Sequence, residues 1–160
     1  MGPSNATEAS MLNKPKPFVR PLALGIIRRP DGRVLMERGR DDVRDETYWR
    51  IIGGGIEFQE SAAAAFAREV KEELDEDVTD VRFVGVLENI FTLNGAPGHE
   101  IIMVHEARFR DERAYEREVL TVREHGQPDG EARWIDHEEA RRRGEPVHPI
   151  SLVESGWLNR

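Results

Sequence analysis

Apolar residues fall in short, strand-sized blocks along most of the chain, and only one segment carries a clear helical period. From Phe18 the pattern is β-like, and Leu22 to Arg28 is an apolar run short enough for a strand. Asp31-Gly32 is a hairpin signal, with Val34 to Glu37 as the return strand. Residues 39–47 are charged and read as a loop. Tyr48 to Ile52 reads as a further strand, ended by Gly53-Gly54-Gly55. Ser61 is a candidate helix N-cap, and Ala62 to Leu74 is the clearest helix. Val78 to Thr92 is β-branched and aromatic but interrupted near Gly85, which predicts two strands or one with a bulge. Asn94-Gly95 and Pro97 mark a turn before a strand over Ile101 to Phe109.

The later chain is less periodic. Residues 110–130 are polar, with a short helix expected near Tyr115 to Val119. Ala132 to Ile135 reads as a late strand, Asp136 as the cap of a helix running to Arg143, and Ser151 to Leu158 as a last short helix. Residues 1–17 are small and polar, with Pro15 and Pro17 close together, and read as a disordered lead-in to a single domain over residues 18–160. Strands dominate around one long helix, so the expected class is mixed α/β or α+β.

Composition narrows the function classes. The 160 residues carry a net charge of −8, which argues against a nucleic-acid polymer as the main partner. No apolar run approaches the ~18 residues of a membrane span. The start of the chain lacks a signal-peptide pattern, so no membrane partner and a cytoplasmic location are expected. The chain has no cysteine, which excludes disulfides and thiolate metal sites. Arginine far outnumbers lysine, a bias that suits bidentate phosphate contacts but that genome composition also produces.

The chemistry concentrates in GGGIEFQESAAAAFAREVKEELDED, residues 53–77. At ~100° per residue, Ala62, Phe66, Val70 and Leu74 share the core stripe of the helix. Glu73 falls inside the edge of that stripe, Glu69 just beside it, and Glu72 further round; Arg68 and Lys71 fall on the far side. Carboxylates three and four apart repel by a few tenths of a kcal/mol even when exposed, and by more near a core. A hard divalent cation removes the conflict. An isolated acidic helix face is more often simply solvated, and a lone glycine triplet more often a tight turn. Glu73 in the apolar stripe and glycines that allow close backbone approach both pull the other way.

The spacing decides between them. Gly54, Glu60, Arg68-Glu69-Val70 and Glu72-Glu73 stand at the intervals of the Nudix box: glycine, five residues, glutamate, seven residues, Arg-Glu-aliphatic, one residue, Glu-Glu. Composition alone would produce that match about once in 10⁴ chains of this kind. The chain resembles the Nudix hydrolase superfamily, and the resemblance extends to the preceding hairpin, Trp49, the Glu-Ala-Arg-Trp segment at 131–134 and the helix after it, covering residues 18–158. Asp75 and Glu76 depart from the glycine–aliphatic pair that closes the box, and Ile52 stands where many members carry proline. Asp tolerates the left-handed helix-ending conformation that the glycine would adopt, and Val78 can supply the displaced aliphatic contact.

The resemblance implies an α/β/α sandwich around a mixed β-sheet and metal-dependent hydrolysis of a diphosphate linkage in a nucleoside diphosphate-linked or related small molecule. It implies Mg²⁺, with Mn²⁺ as the alternative, held by Glu69, Glu72 and Glu73 with the carbonyl of Gly53 as a further ligand. There the metal would neutralise phosphate oxygens and acidify a water. Arg68 is expected to orient the site, and Glu60 to tie to Arg68 while complementing the helix macrodipole. Glu100, at a strand end after the turn, is the candidate general base outside the box, with Glu112, Glu116 and Glu118 as rivals. Phe58 is the candidate for stacking on a base, while Trp49 and Phe91 fit the core better. A homodimer is compatible with the family. Two other classes share the fold: a catalytically inactive nucleotide-binding or regulatory module, which should have lost box carboxylates, and a prenyl diphosphate isomerase, whose chemistry calls for a cysteine.

Overall fold

The computed structural model describes residues 17–160, so the lead-in expected over residues 1–17 lies, apart from Pro17, outside the described residues. Among the described residues, seven strands form one mixed sheet: β1 (Val19–Ile27), β2 (Val34–Asp41), β3 (Glu46–Gly55), β4 (Val78–Leu93), β5 (Ala96–Phe109), β6 (Val119–Val122) and β7 (Gly130–Ile135). The α-helices that accompany them there are α1 (Ala62–Leu74), α2 (His137–Arg142) and α3 (Ile150–Glu154). The spatial order is β4-β5-β1-β3-β2-β7-β6, with β1 and β5 parallel and the other pairs antiparallel.

The sheet is covered on both faces, which explains why β1 reads as a near-continuous apolar run rather than an alternation. Its Ala23 and Ile27 join Phe66, Val70 and Leu74 of α1 in one core cluster. Leu22, Leu24 and Ile26 face the opposite way and pack with Ala140 of α2 and Leu152 of α3. Phe66 is fully buried, and burial of such a ring contributes roughly 1.5–3 kcal/mol. Its ring occupies the space beside Gly25, where a Cβ would stand 2.1 Å from the ring.

Three expectations change in the fold. The hairpin at Asp31-Gly32 closes only at the Arg28–Val34 bridge, because β3 then separates β1 from β2 and pairs with both: Leu22–Gly25 opposite Ile52–Gly55, and Met36–Asp41 opposite Glu46–Ile51. Hydrophobic period identifies a strand but does not choose its partner. Residues 39–47 are not one loop, since β2 continues to Asp41 and β3 starts at Glu46. The Asp41 carboxylate accepts from the amides of Val43 and Arg44, each at 3.0 Å, and so closes a four-residue turn between charged strand ends. The glycine run does not end β3 but forms its last residues.

Elsewhere the differences are smaller. The segment over 78–93 is one strand whose register shifts between Thr79 and Arg82 and between Phe83 and Gly85, where Trp157 packs. The helix expected near Tyr115 is a 3₁₀ turn at Glu112–Glu116, and β6 follows it. The last helix stops at Glu154, with a separate 3₁₀ turn at Trp157–Asn159 after Gly156. Among the described residues, no helix is long and apolar enough to cross a membrane.

Candidate active site

Helix α1 has the expected bounds. The Ser61 side chain accepts from the amide of Ala64 at 3.2 Å, and Ala65, Phe66, Val70, Glu73 and Leu74 are buried. The helix ends at Asp75, whose φ of 55° and ψ of 34° are left-handed, with its amide donating to the Lys71 carbonyl at 3.0 Å. Glu76, in place of an aliphatic residue, pairs with Arg117, and Val78 packs against the core. Asp75→Gly is therefore expected to leave stability unchanged or raise it by up to ~1 kcal/mol, the exposed Lys71–Asp75 ion pair being worth little. A chemical denaturation curve measures this, and a clear loss of stability would count against the left-handed cap.

The glycines bring α1 and β3 together. Gly53 has φ +142° and packs so closely on β1 that a Cβ would stand 2.1 Å from the Ala23 carbonyl oxygen. A Cβ at Gly54 would stand 2.4 Å from the carboxyl carbon of Glu69. Glycine at these positions lets the Glu69 carboxylate lie directly on the strand backbone.

Arg68 ties the box together. Its Nε donates to Glu60 Oε1 at 2.7 Å, and its Nη2 to Glu60 Oε2 and to the Gly55 carbonyl, both at 3.0 Å. Its Nη1 reaches Glu69 Oε1 at 3.0 Å and Glu72 Oε2 at 3.2 Å. The helical angle alone sets Arg68 on the far side of the helix from the carboxylates, but its long flexible stem folds back over them. These bonds gather Glu60, Glu69, Glu72 and the Gly55 carbonyl around one guanidinium. Bidentate bonding to Arg68 holds the Glu60 carboxyl below its ordinary value.

Glu73 is only 6% exposed. Burial, reinforced by Glu37 and Glu69 and opposed by Arg50, pushes its carboxyl up to about 9. Burial also raises Glu69, against the pull of Arg68. Glu37 on β2 stands opposite Arg50 on β3, with Nη2 and Oε2 3.7 Å apart, and it too is raised by burial. Glu73 Oε2 and Glu37 Oε2 are buried without a hydrogen-bond partner. The segment after β6 closes the site from the other side, where the Arg123 amide donates to the Glu73 carbonyl at 2.8 Å. Together these elements surround an open cleft of about 970 Å³, lined by Gly53–Gly55, Glu69, Glu72, Glu73, Arg20, Arg50 and residues 123–126. Among the described residues no three acidic or histidine side chains converge into a ready-made cation cage; Arg68 holds three of the box carboxylates, Glu60, Glu69 and Glu72.

The Nudix domain model matches residues 19–153. The chain belongs to the Nudix family. It is a Nudix-type enzyme, and Nudix enzymes generally use divalent metals. Solved structures agree with the fold. The Escherichia coli dihydroneopterin triphosphate pyrophosphohydrolase superposes with a TM-score of 0.60 at 22% identity, over 89% of this chain and 96% of that one. The MutT Nudix hydrolase of Burkholderia pseudomallei gives 0.56 at 22%, over 85% and 95%. The MutT protein of Methanosarcina mazei Go1 gives 0.52 at 21%, over 84% and 87%.

In this Nudix protein the remaining candidates separate. Glu100 does not line the cleft of the box carboxylates. It lines an adjoining cavity of about 210 Å³ with Tyr48, Asn89 and Phe91, and Arg20 and Arg50 line both spaces. Glu118 pairs with Arg29 and Glu112 with Arg108, and neither these nor Glu116 lines either space. His99 pairs with Glu88 at 2.9 Å. Trp49 is buried, with Nε1 donating to Glu145, whereas Phe91 lines the cavity rather than the core. Phe58 is 94% exposed and lines neither space.

Glu37, Arg50, Arg20, Arg123 and Glu124 were not singled out by sequence reasoning. A signal existed for two of them. Period-two alternation puts Glu37 on the face of Leu35 and Arg50 on the face of Ile52, so each is a charge at an inward strand position.

Proposed function

We propose that this Nudix enzyme hydrolyses the diphosphate linkage of a nucleoside diphosphate-linked small molecule and requires a divalent cation, Mg²⁺ or in its place Mn²⁺. The observation that carries the reading is Glu73, whose Oε2 is buried, unpartnered and beside the open cleft. A buried carboxylate oxygen of this kind is costly by itself. A hard cation answers it, and Glu69, Glu72 and Glu73 with the Gly53 carbonyl supply oxygen donors of the kind such a cation takes. When bound, the cation supplies charge neutralisation at the diphosphate and acidifies a water.

The chain's own residues do the rest. Arg20, Arg50 and Arg123 line the cleft, and their guanidinium forks suit the diphosphate oxygens. Arg68 holds Glu69 and Glu72 in place. Glu124, exposed on the cleft wall, is better sited than Glu100 to take the proton of the attacking water. The water oxygen bonds to one phosphorus, the bridging P–O bond breaks, and the phosphorylated leaving group departs. An inactive binding module is the alternative, and the retained carboxylates argue against it.

A panel of nucleoside diphosphate-linked compounds assayed with Mg²⁺ and with Mn²⁺ tests the reading. Phosphate-monoester products are expected, abolished by EDTA and restored by either metal. Tight binding of such compounds without turnover would support the binding module, and turnover undiminished by EDTA would overturn the metal requirement.

A further inference from the structure

The cavity beside the cleft has a chemical character of its own. Glu100 on β5 stands directly opposite Asn89 on β4, and is only 5% exposed. Its Oε2 accepts from Asn89 Nδ2 at 3.1 Å. Among the described residues no hydrogen bond reaches its Oε1, and the nearest cation, Arg20 Nη1, stands 3.9 Å away. Tyr48 and Phe91 contribute aromatic side chains to its lining, and the room is about 210 Å³, below the ~300–1,000 Å³ of sites that take whole drug-sized ligands. That is space for one ring system rather than a whole nucleotide. Arg20 and Arg50 line both spaces, so a ligand with its phosphates on the arginines carries its next group into this cavity.

We propose that Glu100, positioned by Asn89, reads the edge of that ring and selects a 2-amino-4-oxopyrimidine edge, as found in guanine and in pterins. The proposal rests on the hydrolase reading only for the direction in which the ligand lies. An ionised carboxylate is acceptor-only and is best satisfied by two parallel N–H donors. Guanine presents them side by side, at N1 and at the 2-amino group, with its 6-oxo group beside them for the second amide proton of Asn89. Hypoxanthine lacks the amino group. Adenine turns the lone pair of N1 toward the carboxylate. Uracil flanks its one N–H with two carbonyls. A site that buries a hydrogen-bonding group rejects ligands that leave it unpaired far more strongly than an apolar pocket rejects a change of shape.

The experiment is equilibrium binding of GDP, IDP, ADP, UDP and neopterin phosphate to the full chain, together with kcat/KM on the matching diphosphate-linked substrates. GDP is expected to bind at least ~10-fold more tightly than IDP and ~100-fold more tightly than ADP or UDP. This comparison needs no variant, so it stands even if a substitution at Glu100 fails to fold. Glu100→Gln offers one acceptor and one donor in place of two acceptors. It is expected to weaken GDP by roughly 10- to 100-fold and to improve ADP relative to GDP, with the change in KM rather than kcat. Tighter binding of neopterin phosphate than of GDP would assign the pterin source, and the reverse order the guanine source. Equal binding of all bases would overturn the proposal. So would a Glu100→Gln variant whose kcat falls on every substrate without reordering them, the signature of a general base. Preferential GDP binding with no turnover of any diphosphate would leave the base reading standing and remove the hydrolase, whereas turnover indifferent to the base would do the opposite.

Discussion

Glu73→Gln is expected to lower kcat by on the order of 10²–10³-fold or more while making the metal-free protein more stable. The two effects have one cause. The carboxyl of Glu73 is buried among Glu37 and Glu69, an environment that opposes its ionisation unless a cation is present. Its pKa in the folded chain, about 9 against the ordinary 4.5, means that the fold favours the protonated form. The metal-free fold is thus most stable, as far as this group is concerned, below pH ~4.5, and loses that stability as pH rises toward 9. At pH 7 the difference is on the order of 3 kcal/mol. Glutamine keeps the shape without the titration, so a gain of ~1–3 kcal/mol at pH 7 and a flatter pH dependence are expected, less whatever its buried amide leaves unpaired. Thermal melts in EDTA across pH 5–9, read beside steady-state kinetics in Mg²⁺, measure both. Full turnover by the variant at saturating Mg²⁺ would remove Glu73 from the metal site, and an unchanged melt at pH 7 would contradict its burial as a strained carboxyl.

Gly53→Ala is expected to destabilise the fold by at least ~3 kcal/mol, lowering the melting temperature by roughly 6–12 °C. Two independent obstacles coincide there. The backbone has φ +142°, and the new methyl would meet the Ala23 carbonyl oxygen at 2.1 Å, an atom fixed by the β1–β3 pairing. Gly55 is the contrast: its φ is not positive and a methyl added there would meet no atom within 4 Å, so Gly55→Ala is expected to melt close to the parent. Similar melts for both variants would mean that β3 does not lie against β1 in this way.

Much of the local structure is legible in the order of residues alone. Ala62 to Leu74 carries a helical period, a serine cap at Ser61 and a left-handed stop at Asp75, all set within one segment, and each is found where expected. The strand pattern is legible too, with its limits set by what alternation encodes. It marks Val34 to Glu37 as a strand without naming a partner; the Asp31-Gly32 turn points to β1, but β3 lies between the two and pairs with both. It misses the β2–β3 ends, where both faces carry charges and the period carries no signal. It misses β6, which is four residues long, too short for a period to stand out.

At the site, spacing and three-dimensional approach contribute different things. The intervals from Gly54 to Glu73 are enough to identify the carboxylates, since α1 and the glycines adjoin in sequence and one helical face relates the glutamates. The direction of Arg68 is not legible, because a backbone angle places Cα while four rotatable bonds place the guanidinium. Glu100 is legible only as a carboxylate at a strand end. Whether it faces the box or the adjoining cavity depends on how β4 and β5 lie beside β1, a pairing between segments some 80 residues apart along the chain. The same holds for Glu37, Arg50 and Glu124, which reach Glu73 only through strand order and the closing of residues 123–126. The helix, its caps and the acidic strip follow from the order of residues, because the physics of those features acts over three to eight positions. Which charges share a cleft with that strip was settled by the folded chain, because their proximity comes from sheet pairing, which no local period records.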